Sequence, residues 1–286
     1  MSEPLISGKI FPSMGDGRFP VIIPVQPWFG DHHLGGRVIL AAVETMLLLA
    51  SKTVELFPKM EIRVMEDVFF AKFCEIPFGT KELATLVELA QASERIEAKL
   101  LSRVQFKTMS RLKEHGAVSF FSVENIELAE PVQQPTWATP SAEHDMEIKA
   151  ETLYRDLVPF GPSYQTLQGS LFLSKDMAWG IVKASDVDFV DPVQNILGSP
   201  FPLDGAMHAA CVLGQQLVDF SPFPVGFKRR TVFRPTQPGS HYQIMVRLIS
   251  DMAEETEELV FDLDIYREKD IYEQVTGLRM RNVGGV

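Results

Sequence analysis

Two short stretches hold residue types suited to acid–base chemistry. The first is Trp28 to Ala42, W-F-G-D-H-H-L-G-G-R-V-I-L-A-A. His32 and His33 crowd with Gly30, Gly35 and Gly36 onto the turn that opens a strongly apolar segment. A neutral imidazole is the side chain best suited to take a proton near pH 7. Glycines let backbone approach a ligand closely, and free amides at a helix start can polarise a carbonyl oxygen. The same residues equally suit a tight strand-to-helix turn with one solvated and one core histidine.

The second stretch is Asp204 to Gln216, D-G-A-M-H-A-A-C-V-L-G-Q-Q. Asp204 and His208 are one helical turn apart and share a helix face. Their neighbours Ala206, Met207, Ala209, Ala210, Val212 and Leu213 mark the helix as buried. Burial makes a carboxyl costly unless it is paired and favours its protonated form. Two plainer readings stand beside this one. Asp204 after Pro202 suits a helix N-cap, and His208 suits a satisfied core position. An Asp–His pair also suits a metal, but no third ligand lies nearby in sequence.

Other chemistries lack their signatures. There is no P-loop, no GxGxxG, no GxSxG and no HExxH. Cys74 and Cys211 lie in apolar surroundings and read as small buried hydrophobes. Two distant cysteines offer no disulfide framework, which fits a reducing cytoplasmic setting.

The elements that must position these groups follow from patterning. The chain has 286 residues, 45% hydrophobic and 23% charged, with a net charge of −11. That is globular composition. The charge argues against nucleic acid and against an anionic membrane surface. The most apolar run, Val38–Ala50, contains Glu44 and is too short to span a bilayer.

Glu130–Asp145 holds Pro131, Pro135 and Pro140 among small polar residues and reads as a linker. Residues 1–129 and 147–286 are then the two units, with 130–146 between them. Each carries one long apolar helix, Val38–Leu56 and Asp204–Val218, with strand-like runs around it. In the first half these are Phe19–Gln26, Ile62–Ala71, Ile96–Phe106 and Ala117–Leu128. The second half opens with a short helix near Thr152–Leu157, followed by strands Leu167–Leu173 and Ala178–Ala184. After the long helix come strands Lys228–Phe233, Tyr242–Ile249, Leu259–Tyr266 and Tyr272–Arg281. A helix apolar on nearly every face must be wrapped, and a curved antiparallel sheet is the natural wrapper.

Taken in order, these residues resemble a dehydratase of the polyketide synthase and fatty-acid synthase type. That family carries an HxxxGxxxxP motif, which His32 and Gly36 match, with Ala41 at the proline position. The spacing selects His32 over His33, whose fourth following residue is Arg37. Asp204 and His208 fit the family's DxxxQ/H motif. Phe160-Gly161-Pro162-Ser163-Tyr164 is similar to its YGPxF segment with the aromatics exchanged, and Tyr154 precedes it. Phe223-Pro224-Val225-Gly226-Phe227 is similar to a later Pro-aromatic element.

The resemblance implies an α+β double hotdog, free-standing or excised from a larger synthase, acting on a β-hydroxyacyl thioester. His32 would be the base at Cα and Asp204 the acid at the leaving hydroxyl, with His208 orienting Asp204. Backbone at Gly35, Gly36 and Arg37 would hold the thioester carbonyl. Tyr154, Phe160, Gly161, Pro162, Tyr164, Pro224 and Phe227 would line the pocket. No metal or other cofactor is implied beyond the phosphopantetheine that carries the substrate. The partner would be an acyl carrier protein, and a homodimer is the family's expectation. The same groups could serve a cyclase or an isomerase, and a non-catalytic acyl-binding protein could keep the fold. Lys228-Arg229-Arg230 is the one basic cluster. It would be either a phosphate-docking site or a charged strand edge.

Overall fold

The computed structural model describes residues 17–105, 107, 109–126, 144–250 and 258–283. The linker expected at 130–146 falls mostly outside them.

The chain opens with strand β1 (Gly17–Pro24), a 3₁₀ turn (Pro27–Asp31) and a tiny hairpin, β2 (His33–Leu34) and β3 (Arg37–Val38). Helix α1 (Ala42–Leu56) follows, then strands β4 (Met60–Phe69), β5 (Glu82–Ala92), β6 (Arg95–Gln105) and β7 (Ser110–Ser122). The second half opens with β8 (Met146–Lys149), the short helix α2 (Ala150–Thr152) and one wide π turn (Leu153–Leu157). Strands β9 (Leu167–Leu173) and β10 (Met177–Lys183) lead to helices α3 (Gln194–Leu197) and α4 (Phe201–Gln215). Strands β11 (Phe223–Val232), β12 (His241–Ser250), β13 (Glu258–Arg267) and β14 (Asp270–Arg281) complete the described fold.

The long strands form a single 12-stranded sheet in the order β1-β5-β6-β7-β4-β11-β14-β13-β12-β10-β9-β8. Every pairing is antiparallel. Strands of the first half occupy one end and strands of the second half the other. They join at β4 and β11, through pairs such as Arg230 with Met65. Each half wraps its own helix: α1 packs on β4, β5, β6 and β7, and α4 on β9, β10, β12 and β13. The two helices also touch each other.

The helices are there because apolar burial outweighs everything local. In α4 every residue from Phe201 to Gly214 is buried, Asp204 and His208 included. Each fully buried Leu, Val or Met side chain contributes roughly 1.5–3 kcal/mol. Pro202 sits in the first turn, where its missing N–H breaks no helical bond. In α1, Met46, Leu49 and Ala50 are fully buried, and Pro58 follows just beyond its last turn.

Three expectations need correcting. Helix α1 starts at Ala42 rather than Val38. The preceding residues are drawn into sheet-like bonds, the Ile39 and Leu40 amides donating to the carbonyls of His32 and Cys74 at 2.9 Å each. Helix α4 starts at Phe201, with Pro200 as its N-cap, so Asp204 lies inside the first turn and does not cap it. The basic cluster is not a sheet edge, because β11 lies between β4 and β14. Strand alternation turns Arg230 into the core, where it donates to Glu273 at 2.7 Å with only 2% of either side chain exposed. Arg229 pairs with Glu66 at 2.8 Å, and Lys228 alone is exposed.

No helix among the described residues is long and apolar enough to cross a membrane.

Candidate active site

Between the two helices lies a cavity of about 380 Å³. His32 reaches it from the first half, and Asp204 and His208 from the second. Arg37, Lys72 and Glu75 stand at its exposed rim, and Met207, Cys211 and Met280 line its apolar wall.

His32 ends the 3₁₀ turn and precedes the small hairpin. Its Nδ1 lies 2.9 Å from the Ile39 carbonyl oxygen. A carbonyl only accepts, so Nδ1 carries the proton and donates, which leaves Nε2 as a bare lone pair. Burial holds the His32 pKa below the ordinary value of 6.5, against the opposing pull of Asp204 and the Ile39 carbonyl. The ring is therefore neutral near pH 7. His33 pairs with Val38 in the hairpin and does not line the cavity.

Asp204 and His208 meet as their spacing requires, with Oδ2 and Nε2 2.9 Å apart. That contact is off the axis of a ring N–H bond, so both buried atoms lack a hydrogen-bond partner within the protein. A buried pair left open at a cavity wall can bond a group that enters the cavity. On its far side, His208 Nδ1 lies 3.3 Å from the Tyr154 hydroxyl. That hydroxyl accepts the Leu167 N–H at 2.9 Å, so its own proton is free to point at Nδ1. Tyr154 is a strut rather than a pocket wall.

Phe160 joins the two sides. Its ring stacks on His32 with centroids 4.4 Å apart and lies 4.9 Å from the His208 ring. Tyr164 packs edge-on against His32 at 4.9 Å. Of the expected pocket residues, only Phe160 and Pro224 line the cavity. Tyr154, Gly161, Pro162 and Tyr164 stand behind it as support. Phe227 is fully buried in the core, edge-on to Phe70 at 6.1 Å.

The glycine pair is also placed differently from expectation. Gly35 and Gly36, at φ +55° and +75°, form the exposed tip of the β2–β3 hairpin rather than a helix start. Left-handed backbone at both turn residues is what a tight two-residue hairpin demands. Arg37 lines the rim, its guanidinium 3.0 Å from Glu75. The amides that lack helical partners belong to the first turn of α1, where Ala42 lines the cavity. Ala41 has φ −61°, the value a proline would fix, so the helix entry has proline geometry without the ring.

Two residues of the site have no counterpart in the sequence motifs. Asp31 accepts the Gly161 amide on its backbone oxygen at 2.7 Å and the Ser163 amide on Oδ2 at 2.9 Å. Glu44, the lone acid of the apolar run, accepts from Trp28 Nε1 at 3.0 Å. Burial pushes its carboxyl up to about 7, with the Asp204 charge adding and the Trp28 bond opposing. A solitary acid inside an apolar helix was the available signal. Burial also pushes the cavity thiols up, Cys74 to about 11 and Cys211 to about 12. Among the described residues, no three His, Cys, Asp or Glu side chains gather as a metal-ligand set.

No family model and no curated protein sequence matches the chain. Solved structures do. An inactive mutant of the CurJ dehydratase, in complex with a compound, is 15% identical with a TM-score of 0.74, covering 95% of this chain and 93% of that one. The dehydratase domain from the CurF module of the curacin polyketide synthase is 17% identical with a TM-score of 0.71, covering 95% of each. A trans-AT polyketide synthase dehydratase domain from Brevibacillus brevis is 15% identical with a TM-score of 0.71, covering 94% of each. The chain therefore has the α+β double-hotdog fold of the polyketide synthase dehydratase domains.

Proposed function

We propose that the chain is a hydro-lyase that removes water from a β-hydroxyacyl thioester, giving the α,β-enoyl thioester. The hotdog units would be residues 1–129 and 147–286, joined by 130–146. One observation carries the reading: a neutral imidazole with a free Nε2 and a buried carboxyl, supplied by different halves, line one cavity. The dehydratase domains that share the fold lend it support.

His32 Nε2 takes the proton from Cα, and the electron pair left behind forms the Cα–Cβ double bond. The Cβ–O bond breaks as Asp204, acting as the general acid, passes a proton to the leaving hydroxyl, which departs as water. The imidazolium and the carboxylate then exchange a proton to reset the pair. His208, held by Tyr154 and 2.9 Å from Asp204 Oδ2, would orient the carboxyl. The thioester oxygen gathers negative charge as Cα loses its proton, and the free amides of the first turn of α1 stabilise it. Those amides replace the Gly35–Gly36–Arg37 backbone in that role. The substrate would arrive on the phosphopantetheine arm of an acyl carrier protein.

The test is incubation with a 3-hydroxybutyryl N-acetylcysteamine thioester, followed by enoyl absorbance and product mass. Loss of one water that disappears in both His32→Ala and Asp204→Asn supports the reading. A product of unchanged mass would make the same pair an isomerase or a cyclase. Turnover that survives both substitutions would overturn the assignment.

A further inference from the structure

The 3₁₀ turn that leads into His32 is anchored from α1. Trp28 lies in that turn, and the His32 amide donates to the Phe29 carbonyl at 3.1 Å. Trp28 Nε1 donates in turn to Oε1 of Glu44, in the first turn of α1, at 3.0 Å. That bond fixes the indole, and with it the path of the backbone into His32.

The same carboxyl meets the second half of the chain. Tyr164 closes the 3₁₀ turn Pro162–Tyr164. Its ring packs edge-on against His32 at 4.9 Å and lies 5.3 Å from that of Phe201 in α4. Its buried hydroxyl makes no hydrogen bond of ordinary geometry. The acid that acts on it most strongly is Glu44, which it faces as a loose donor, ahead of Asp204 and Asp31. A buried hydroxyl is costly without an acceptor, and α1 supplies one. The exchanged aromatics fit this arrangement. Phe160, stacked on His32, carries no hydroxyl, and the hydroxyl stands instead at 164, on the Glu44 side.

An apolar side chain would fill position 44 at less cost in burial. What the acid adds is an acceptor for two donors, one on the turn before His32 and one on the ring packed against it. We propose that Glu44 is a positioning residue for His32, holding the Trp28 indole and the Tyr164 hydroxyl together and so aiming the imidazole into the cavity. The inference rests on the reading of His32 as the base and adds no chemical step of its own. Glutamine keeps both contacts, its amide oxygen accepting from Trp28 and its amide N–H donating to the tyrosine oxygen. Leucine keeps the volume and loses both.

The test compares Glu44→Leu, Glu44→Gln, Tyr164→Phe and the Glu44→Leu/Tyr164→Phe double variant with the wild type. Enoyl formation from the 3-hydroxybutyryl N-acetylcysteamine thioester is followed alongside the NMR signals of the His32 ring. We expect kcat to fall roughly tenfold or more in Glu44→Leu and in Tyr164→Phe, with KM within about twofold, because a slightly misplaced base is costly. Glu44→Gln should keep kcat within about threefold of the wild type. The double variant should be little worse than Glu44→Leu alone, because both substitutions break one contact. The His32 signals should move in Glu44→Leu and Tyr164→Phe and stay in place in Glu44→Gln. A folded Glu44→Leu with full kcat and unmoved His32 signals overturns the proposal. So does a Glu44→Gln no better than Glu44→Leu, or a double variant in which the two losses multiply. If Glu44→Leu does not fold, an unchanged kcat in Tyr164→Phe overturns it. Failure of the dehydratase reading looks different: the wild type forms no enoyl product, while the His32 signals still move in Glu44→Leu.

Discussion

Gly161 donates its backbone N–H to the Asp31 carbonyl at 2.7 Å, and a Cβ at Gly161 would come within 2.4 Å of Asp31 Oδ1. Asp31 immediately precedes His32, and Gly161 immediately follows the Phe160 ring stacked on His32. This one contact therefore sets how the base of one half meets the wall of the other. Gly161→Ala should push Asp31 away and tilt His32, costing roughly 1–3 kcal/mol of stability. Turnover should fall further than that loss explains at temperatures where the variant is folded. Thermal melts run beside enoyl formation check both, and a variant that melts lower with full turnover would separate the staple from catalysis.

In the proposed reaction, protonating His32 would remove the base. Its pKa is depressed by burial, so the acid limb of the rate profile should fall below pH 6.5. Stability has the same sign. The unfolded chain binds the proton first, so this contribution is present above pH 6.5 and is lost as pH falls through the lowered folded value. A kcat/KM profile between pH 4 and 9, with an NMR titration of the imidazole, measures it. An acid limb centred above the ordinary histidine value would contradict the geometry.

Glu44 runs the other way. Its folded carboxyl titrates near 7 against an ordinary value of 4.5, so its stabilisation is full below pH 4.5 and fades as pH rises through about 7. Glu44→Gln can still accept from Trp28 without acquiring charge. The variant should match the wild type at pH 5 and exceed it at pH 8 by roughly 1–3 kcal/mol, discounted for partial exposure. Denaturant melts at the two pH values read this out.

Tyr154→Phe removes the hydroxyl that joins Leu167 N–H to His208 Nδ1. Leaving buried groups unsatisfied costs roughly 1–3 kcal/mol. With its second nitrogen unheld, His208 orients Asp204 less well, so kcat should fall while KM changes little. His208→Gln should be milder than Asp204→Asn, because an amide can still reach the carboxyl.

Arg230 and Glu273 should behave as a buried pair. Removing one partner by Arg230→Ala leaves the other charge unpaired, at a cost of about 3–5 kcal/mol. Arg230→Met with Glu273→Leu should recover much of that, as chemical denaturation can test. Full recovery would show that the pair adds nothing to stability over packing.

Much of this arrangement was legible because hydrophobic periodicity is local. The strand Leu167–Leu173 and the cores of both long helices follow from composition and spacing alone. Glu82–Ala92 (ELATLVELAQA) escaped because its Leu, Ala and Glu content favours a helix, while its alternating burial as β5 depends on neighbours β1 and β6. The start of α4 was missed because Asp204 after Pro202 reads as a helix N-cap, whereas the helix begins at Phe201 and holds that proline in its first turn. The motif spacing separated His32 from His33 correctly as the cavity-facing ring. Of the expected aromatics, Phe160 reaches the cavity while Tyr154, Tyr164 and Phe227 do not, because an aromatic's type does not reveal which face it presents. Asp31 depends on partners in the other half, far away in sequence.

The β4–β11 ladder has a further consequence for how a substrate gets in. Backbone bonds such as those around Arg230 and Met65 weld the halves along their shared strand pair. A clamshell that opened between them would have to unzip that ladder. On the proposed reading, an acyl chain would enter past the rim at Arg37 and Glu75 without the halves parting. Met207 and Met280, buried in the apolar wall, would then limit which acyl groups fit.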